Sequence, residues 1–582
     1  MRWTRRGRSH LLARSFHPRE HRLSPAAPAA GSPPRAPVDL PPAAPPPPPP
    51  SRAVRTLLTV GATLVLGVGA GVAPALAAEP ATSAAVPAAA VPAAVARPGC
   101  DAAALQRTVG ADTTITAAAS ATTPNTATRY CKVDGYVATS GPAGSNHVNF
   151  SAALPDRFVG RYLFNGIGGA AGSIPPIDEA QLAAGWAQAG TDAGNQGSVL
   201  DYRFAVDRTK ALDWASRGVH VTTVATQAVT RAYYGLPTQA GALHRYISGC
   251  SGGGRMGLVE ASLYPTEYDG VLAGAPGSNS LNILKFGQIV SYLLAHPDAW
   301  VSPDQLGQLE KALIAKYDAR DGAADGFIRD PGVVDTDFAP YGLFTPAQLD
   351  LLRLITGELK VGDRSYPGFS ASNVTGWSAF LTGTQPPSTW GTQPPPALIL
   401  FDTVTRALFG ADYDFRTQFD FADPADPQSW ATTFDQVFPG QNAAADSYDR
   451  FRDAGGKLLI WHGASDNGIS VFDTIGLYGK VAAHQHGYAD TQRWARLFTV
   501  PGLFHCFGGP GAQDTPAQGL AALADWVEHG QVPRTIVVHS AADQPKADFL
   551  LCPYPAHPIF LGGADNPRHL NALDAENWRC SA

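Results

Sequence analysis

Ile247-Ser248-Gly249-Cys250-Ser251-Gly252-Gly253-Gly254-Arg255 is the stretch on which the fold of this chain turns. Tyr246-Ile247-Ser248 reads as a short strand, and a glycine turn follows. From Arg255 to Tyr264 the apolar residues Met256, Val259 and Leu263 recur at helical spacing. Val271-Leu272-Ala273-Gly274 is again strand-like. Strand, tight turn, helix, strand is a βαβ unit and belongs to a parallel sheet. Within the turn, Gly249-x-Ser251-x-Gly253 fits a nucleophile elbow, where a serine sits on a strained strand-to-helix turn and small neighbours let backbone pack closely. Alone, that pattern is often just a glycine turn. Here it follows a strand and opens an amphipathic helix, as the motif requires.

An elbow places the Gly252 N–H where it can stabilise an oxyanion. A second donor is expected from Gly168-Gly169, in the glycine loop Asn165–Gly172 that follows the strand-like Arg161-Tyr162-Leu163-Phe164. Each such donor stabilises a transition state by roughly 3–4 kcal/mol. A plain turn is the alternative for that loop.

A serine needs a base to take its proton and an acid to orient the base. In the order Ser…Asp…His of this fold, the acid lies between the other two. Asp466 follows the strand Lys457–Trp461, within His462-Gly463-Ala464-Ser465-Asp466, and His505 follows the strand Leu497–Val500. Both lie at strand C-terminal ends, where open α/β sheets bind ligands. His462 and Asp269 are the rivals and read as structural. The fold class is therefore α/β, an α/β-hydrolase fold.

Each candidate catalytic residue has a cysteine beside it: Cys250 precedes Ser251 and Cys506 follows His505. If Ser251 and His505 meet, the two cysteines come within bridging reach, about 4.4–6.8 Å between Cα atoms. Six cysteines allow fifteen pairings. With Cys250–Cys506 motivated by the site, Cys100–Cys131 and Cys552–Cys580 remain as local pairs at the two ends. Two buried thiols are the alternative for Cys250 and Cys506.

Residues 1–50 are rich in Arg and Pro and close on the run Pro45–Pro50, a composition that cannot form a packed core. Arg52 and Arg55, the apolar run Leu57–Val72 and Ala75-Leu76-Ala77 then read as basic region, apolar core and cleavage site of a secretory signal. At 16 residues with four glycines, the run is short for a membrane span of about 20. No stable membrane anchor is expected, and the protein is expected to be secreted. The first 78 residues hold ten Arg, no Lys and two acids; without them the formal net charge moves from −6 to −14. That acidic balance argues against nucleic acid as a partner. The organisation reads as 1–77 disordered leader and signal, 78–98 linker, 99–275 hydrolase domain with the elbow, 276–455 an inserted lid, and 456–582 the remainder of the hydrolase domain with Asp466 and His505. In the lid Trp377, Phe380, Trp390 and Phe401 look exposed.

The lid holds one further constellation, Asp318-Ala319-Arg320-Asp321-Gly322-Ala323-Ala324-Asp325-Gly326-Phe327. Carboxylates at Asp318, Asp321 and Asp325, with the carbonyls of Ala323 and Phe327, suit a hard cation that takes 6–8 oxygens, such as Ca²⁺. The other reading is a solvated acidic turn. No Glu stands at the twelfth position, so it is not an EF-hand.

These residues resemble the tannase/feruloyl esterase family of α/β-hydrolases, over Cys100 to Cys580. The resemblance rests on Cys250-Ser251-Gly252-Gly253-Gly254-Arg255, on Tyr264–Gly270 through Ala273-Gly-Ala-Pro276, on Thr191-Asp192, on Trp461–Asp466 and on Val500–Cys506. A disulfide linking the serine and histidine segments is a hallmark of that family. The resemblance implies that 318–327 is a structural calcium site in the lid. It also implies a cysteine on each side of that loop, where this chain has Tyr317, Val333 and Val334. The lid disulfide is thus missing, and the lid is expected to lean more on calcium or to move more. The expected function is that of a secreted serine carboxylic ester hydrolase. Its expected substrates are small-molecule aromatic esters, feruloyl, galloyl or related hydroxybenzoates. An esterase on other aromatic esters, such as terephthalate monoesters, is the alternative in the same chemistry. A catalytically silent α/β-hydrolase used for binding is the alternative of another class.

Overall fold

The chain enters its main sheet through three long strands, β1 (Thr113–Thr122), β2 (Arg129–Gly141) and β3 (Gly144–Pro155), paired antiparallel. Six more strands follow: β4 (Arg161–Asn165), β5 (Ala187–Thr191), β6 (His244–Cys250), β7 (Gly270–Gly274), β8 (Lys457–Gly463) and β9 (Ala495–Val500). Their spatial order is β1-β2-β3-β5-β4-β6-β7-β8-β9. From β5 to β9 every neighbour is parallel. The βαβ reading thus holds for that half, and an antiparallel edge precedes it. This computed structural model describes residues 99–237, 241–442, 447–562 and 570–581. The leader (1–77) and linker (78–98) read from the sequence lie outside the described residues.

Composition explains the two halves. All of β7 and nearly all of β8 are buried, as parallel strands covered on both faces must be. Side chains on these strands alternate between two cores. Val271, Ala273, Leu458 and Ile460 face one, and Leu272, Leu459 and Trp461 face the other. Antiparallel β2 instead alternates buried Val133 and Val137 with exposed Lys132. The first core receives α1 (Gly218–Tyr234) and α2 (Gly252–Leu263); the second receives Leu520, Leu523 and Trp526 of a helix over Thr515–His529. The buried face of α1 carries Val219, Thr223, Thr226 and Val229.

Between β7 and β8 come α3 (Leu281–Ala295), α4 (Pro303–Tyr317), α5 (Pro346–Thr356), α6 (Pro396–Phe409) and α7 (Ala425–Val437). Two of these open on capping boxes legible in the sequence: Ser302 with Gln305, and Thr345 with Gln348, each followed by proline at the first helical position. The inserted segment does not stand apart. Leu281, Phe286 and Phe401 join the same apolar core as Ile247 and Val271. The exposed-looking aromatics are corrected by this packing: Trp377, Trp390 and Phe401 are buried, and Phe380 is partly buried against the same core. Their Pro- and Gly-rich surroundings read as loop, yet these side chains are the insertion's interior. Cys100–Cys131 and Cys552–Cys580 are bonded, as expected from elimination.

Candidate active site

Strand register brings the loops of the site to one edge of the sheet. Asn165 pairs with Ser248, Cys250 with Gly274, and Gly274 with Trp461, so the strands end level. Ser251 follows β6 directly, with left-handed backbone (φ 61°, ψ −120°). Its N–H donates to the Gly274 carbonyl at 2.9 Å, and its own carbonyl accepts from Arg255 N at 2.9 Å, starting α2. The bracketing glycines have a steric reason. A Cβ on Gly249 would lie 2.8 Å from Gly253 backbone, and one on Gly253 would lie 2.8 Å from Gly166 backbone. Three chain segments therefore touch backbone to backbone behind the serine. Among the described residues the Ser251 hydroxyl has no hydrogen-bond partner.

Cys250 is bonded to Cys506, with the Cα atoms 5.8 Å apart. This ties the elbow to the segment that carries His505, 256 residues on. The His505 Nδ1 lies 3.0 and 2.9 Å from the two carboxylate oxygens of Asp466. Asp466 is fully buried and also accepts from the N–H groups of Gly468 and Ile469, both at 2.7 Å. Burial alone would raise its pKa. The charge and hydrogen bonds of His505 and His462 outweigh burial and hold the carboxyl below the usual carboxylate range. His462 is not a spectator: its Nε2 lies 3.2 Å from Asp466, while its ring also bonds Thr474 and the Ile469 carbonyl. It braces the acid from within the core. Asp269, the other rival, pairs with Arg245 at 2.6 Å.

The glycine loop after β4 reaches the elbow as expected. A Cβ on Gly252 would lie 2.7 Å from Gly169 N, and one on Gly168 would lie 3.9 Å from the Ser251 Cβ. Gly169 is itself left-handed, and a Cβ there would meet the Val199 carbonyl at 2.0 Å. Among the described residues neither the Gly252 nor the Gly169 N–H has a backbone acceptor, whereas Ala170 N donates to Val199 O at 2.7 Å. Gly252 and Gly169 both lie beside Ser251 on one cavity.

Ser251, Gly252, Gly169 and His505 line one cavity, with about 570 Å³ of empty space including its mouth. Its wall mixes the aromatic residues Tyr202, Trp214, Phe286, Phe380 and Phe434 with polar ones such as Asn279, Asn282 and Gln441. Phe286, Phe380 and Phe434 come from the inserted segment, and the Phe380 ring meets the His505 ring edge-on at 5.6 Å. The insertion also grips the acid loop from outside. Ser372 and Asn373 bond Ala464 and Ser465, and Asn467 donates to Gly376 while accepting from His505 N at 3.1 Å.

A profile described as "Tannase and feruloyl esterase" matches residues 131–568. The chain belongs to the tannase and feruloyl esterase family. It is 28% identical over 480 residues to a probable feruloyl esterase of Arthroderma benhamiae, covering 79% of this chain and 87% of that relative. It is 28% identical over 483 residues to feruloyl esterase B of Aspergillus niger, covering 77% and 86%. Among solved structures, an esterase from Aspergillus oryzae aligns with a TM-score of 0.69 at 25% identity, over 81% of this chain and 97% of that one. Feruloyl esterase B from Aspergillus oryzae has the same fold, with a TM-score of 0.67 at 22% identity, over 82% and 100%. As a member of this family the chain is a carboxylic ester hydrolase, of a class that acts on small aromatic esters. Among the described residues no helix is long and apolar enough to cross a membrane.

In this family member the acidic loop is more locally tied than its spacing implies. Asp318 accepts from Asp325 N at 3.2 Å and Gly326 N at 2.9 Å, and Asp321 accepts from Ala323 N at 3.1 Å. Asp325 accepts from Phe327 N at 3.1 Å and pairs with buried Arg329, whose Nε lies 3.5 Å from Asp321. Among the described residues no three acidic, His or Cys side chains converge as metal ligands. Arg329 supplies the local positive charge and stacks on Trp578 at 3.8 Å. Even so, one Asp321 carboxylate oxygen is buried without a hydrogen bond. Burial first, then the neighbouring Asp325 and Asp318, push the Asp321 carboxyl up to about 6. The orphaned Asp321 oxygen, in an all-oxygen setting, is the one observation there in favour of a hard cation.

Proposed function

We propose that this chain is an exported serine esterase that hydrolyses aromatic carboxylic esters, feruloyl, galloyl or related hydroxybenzoates, through Ser251, His505 and Asp466. One observation carries the reading: a serine on a strained turn, a carboxylate-bound histidine and the two glycines Gly252 and Gly169 all border one cavity that includes five aromatic side chains. In this reading Ser251 Oγ attacks the ester carbonyl while His505 Nε2 takes its proton. Asp466 holds the proton on Nδ1 and stabilises the imidazolium. The N–H groups of Gly252 and Gly169, with Gly168 shaping the loop, hold the oxyanion. The imidazolium then gives its proton to the leaving alcohol. Water, deprotonated by the same histidine, releases the acid. In apo structures catalytic hydrogen bonds are often open and tighten with substrate, which fits the unpartnered Ser251 hydroxyl.

Residues 276–455 act as the lid over the aromatic acyl group. Asp318, Asp321 and Asp325, with the carbonyls of Ala323 and Phe327, would hold calcium in that lid. The ion would neutralise carboxylates and order the loop. Export is supported by the leader pattern before residue 78 and by the disulfides. The test is turnover of methyl ferulate, methyl gallate, a terephthalate monoester and simple acyl esters by the parent and by Ser251→Ala. Hydrolysis of the hydroxyaromatic esters, lost in Ser251→Ala, is expected. Retained turnover in Ser251→Ala sinks the assignment, and preference for another ester class corrects the substrate.

A further inference from the structure

Trp214, one of the residues lining the cavity, makes contacts behind the two glycines that the catalytic reading leaves unused. Trp214 sits in a π-helical turn, Asp213–Arg217, between two helical segments. Such turns expose carbonyls and side chains that a regular helix would hide, and they gather at functional sites. The Trp214 indole Nε1–H donates to the Gly169 carbonyl at 3.2 Å. Arg255, one helical turn beyond Ser251 on α2, lays its guanidinium over the Trp214 ring at 3.9 Å from the centroid. The same guanidinium donates to the Ala215 carbonyl at 2.7 Å and the Trp214 carbonyl at 3.0 Å. Arg255 is 2% exposed and has no carboxylate partner among the described residues. Burial draws it down to about 10, which still leaves it charged at neutral pH. An arginine buried without an ion pair is rare, and here its donors go to backbone and to a ring. Its location links the nucleophile helix to the loop that carries the second oxyanion donor.

We propose that Trp214, clamped by Arg255, is a positioning residue of the oxyanion hole. The indole N–H fixes the Gly169 carbonyl, and with it the orientation of the loop whose N–H stands beside Gly252. The loop needs such a tie. Gly169 is left-handed, and the segment Ile167–Gly172 is glycine- and alanine-rich, with few side chains of its own to anchor it. Asn195 secures the residue after Gly169, donating to the Ala170 carbonyl at 2.9 Å, and the far end at Gly172 is tied to Asp192 and Gly197. Trp214 secures the end beside the serine. Through Arg255 both halves of the hole, Gly252 on α2 and Gly169 on the loop, refer to one rigid unit. Preorganised donors act because they need no rearrangement as charge develops.

This inference rests on the reading of Ser251 as nucleophile, and the experiment separates the two. Trp214→Phe keeps an aromatic ring and removes the N–H. Replacement of Trp214 by benzothienylalanine keeps the bicyclic shape, with sulfur in place of N–H, and controls for packing. Methyl ferulate kinetics would be combined with two inhibition constants, one for an arylboronic acid that becomes tetrahedral on the serine and one for the free aromatic acid. We expect kcat to fall about 10-fold or more in both variants, since sub-ångström drift of an oxyanion donor is felt strongly, with KM within about 3-fold. Boronate affinity should fall in parallel with kcat, and aromatic-acid affinity should hold. Arg255→Met should reproduce the pattern. Unchanged kcat in the benzothienylalanine protein overturns the proposal, as does an equal loss of boronate and aromatic-acid affinity, which would mark a packing role. If Ser251→Ala is inactive while these variants are normal, only the positioning role falls. If Ser251→Ala remains active, the reading of the site itself falls.

Discussion

Removing the bond between Cys250 and Cys506 separates stability from positioning. The perturbation is the double substitution Cys250→Ala, Cys506→Ala. The bond closes a loop over a sequence separation of 256 residues. On the chain-entropy account such a loop lowers the entropy of the unfolded chain by an amount equivalent to about 5 kcal/mol at 25 °C, the upper end of measured values. For a body near 480 residues the unfolding entropy is about 1 kcal/mol per degree, so the melting temperature should drop by roughly 5 °C or less. The fold at 25 °C should survive, because β6 and β9 are held by their own ladders. Catalysis has no such reserve. Ser251 and Cys506 both hold left-handed backbone, at φ 61° and 67°. That conformation is unfavourable by about 1–2 kcal/mol for a residue with a side chain. Without the bond, the turn bearing His505 can relax, and a misplacement near 1 Å can cost about 100-fold in rate. The assay is kcat/KM on methyl ferulate beside circular dichroism and a thermal melt of the same samples. A fall of about 100-fold in kcat/KM with secondary structure intact is expected. If kcat/KM stays within about 3-fold of the parent while the melt drops, the bond serves stability alone and the reasoning is wrong.

The remaining predictions concern the triad, the lid and the core. Ser251→Ala and His505→Ala should each remove nearly all turnover, and the double variant should be little worse than either, because such residues act as a unit; additive losses in kcat would contradict the triad. Chelation should lower both the melting temperature and activity, with calcium restoring them and Asp325→Ala mimicking the loss; metal analysis finding no calcium in native protein refutes this. Glu260 is fully buried beside Glu267, and burial first, then the charge and hydrogen bond of Glu267, raise its pKa well above the usual value. A raised folded-state pKa stabilises most below the unfolded value near 4.3, and that contribution is lost as pH rises through the folded pKa. Glu260→Gln should therefore melt higher than the parent at pH 9, with the gap shrinking toward pH 4; parallel melting profiles across that range would rule the argument out.

The candidate elbow, acid and base were legible because each is a local pattern at a strand end. Gly249-x-Ser251-x-Gly253 needs only its neighbours to be recognised, and so do Asp466 after Lys457–Trp461 and His505 beside Cys506. The aromatics of the insertion were not legible. Trp377 and Phe401 sit among prolines and glycines that signal loop, and only contact with the sheet's core shows them buried. His462 read as structural, yet its bond to Asp466 makes it part of the acid's setting. The acidic loop is tied more locally than its spacing suggested. Its spacing implied converging carboxylates, but Arg329 and nearby N–H groups take up much of their hydrogen-bonding capacity.

By itself the sequence determined the α/β alternation, the chain order of the candidates Ser251, Asp466 and His505 at strand ends, and the cysteine logic that joins two of them. Those features depend on residues within a few positions of each other, where backbone geometry and side-chain periodicity act directly. Only the tertiary structure decided that an antiparallel edge precedes the parallel strands, that Gly169 meets Gly252, and that Trp214 and Arg255 stand behind them. It alone decided that Phe380 from the insertion covers His505. Each of these is a contact between segments tens to hundreds of residues apart. Such contacts are chosen by shape and burial of the whole core, and no local pattern in the chain encodes them.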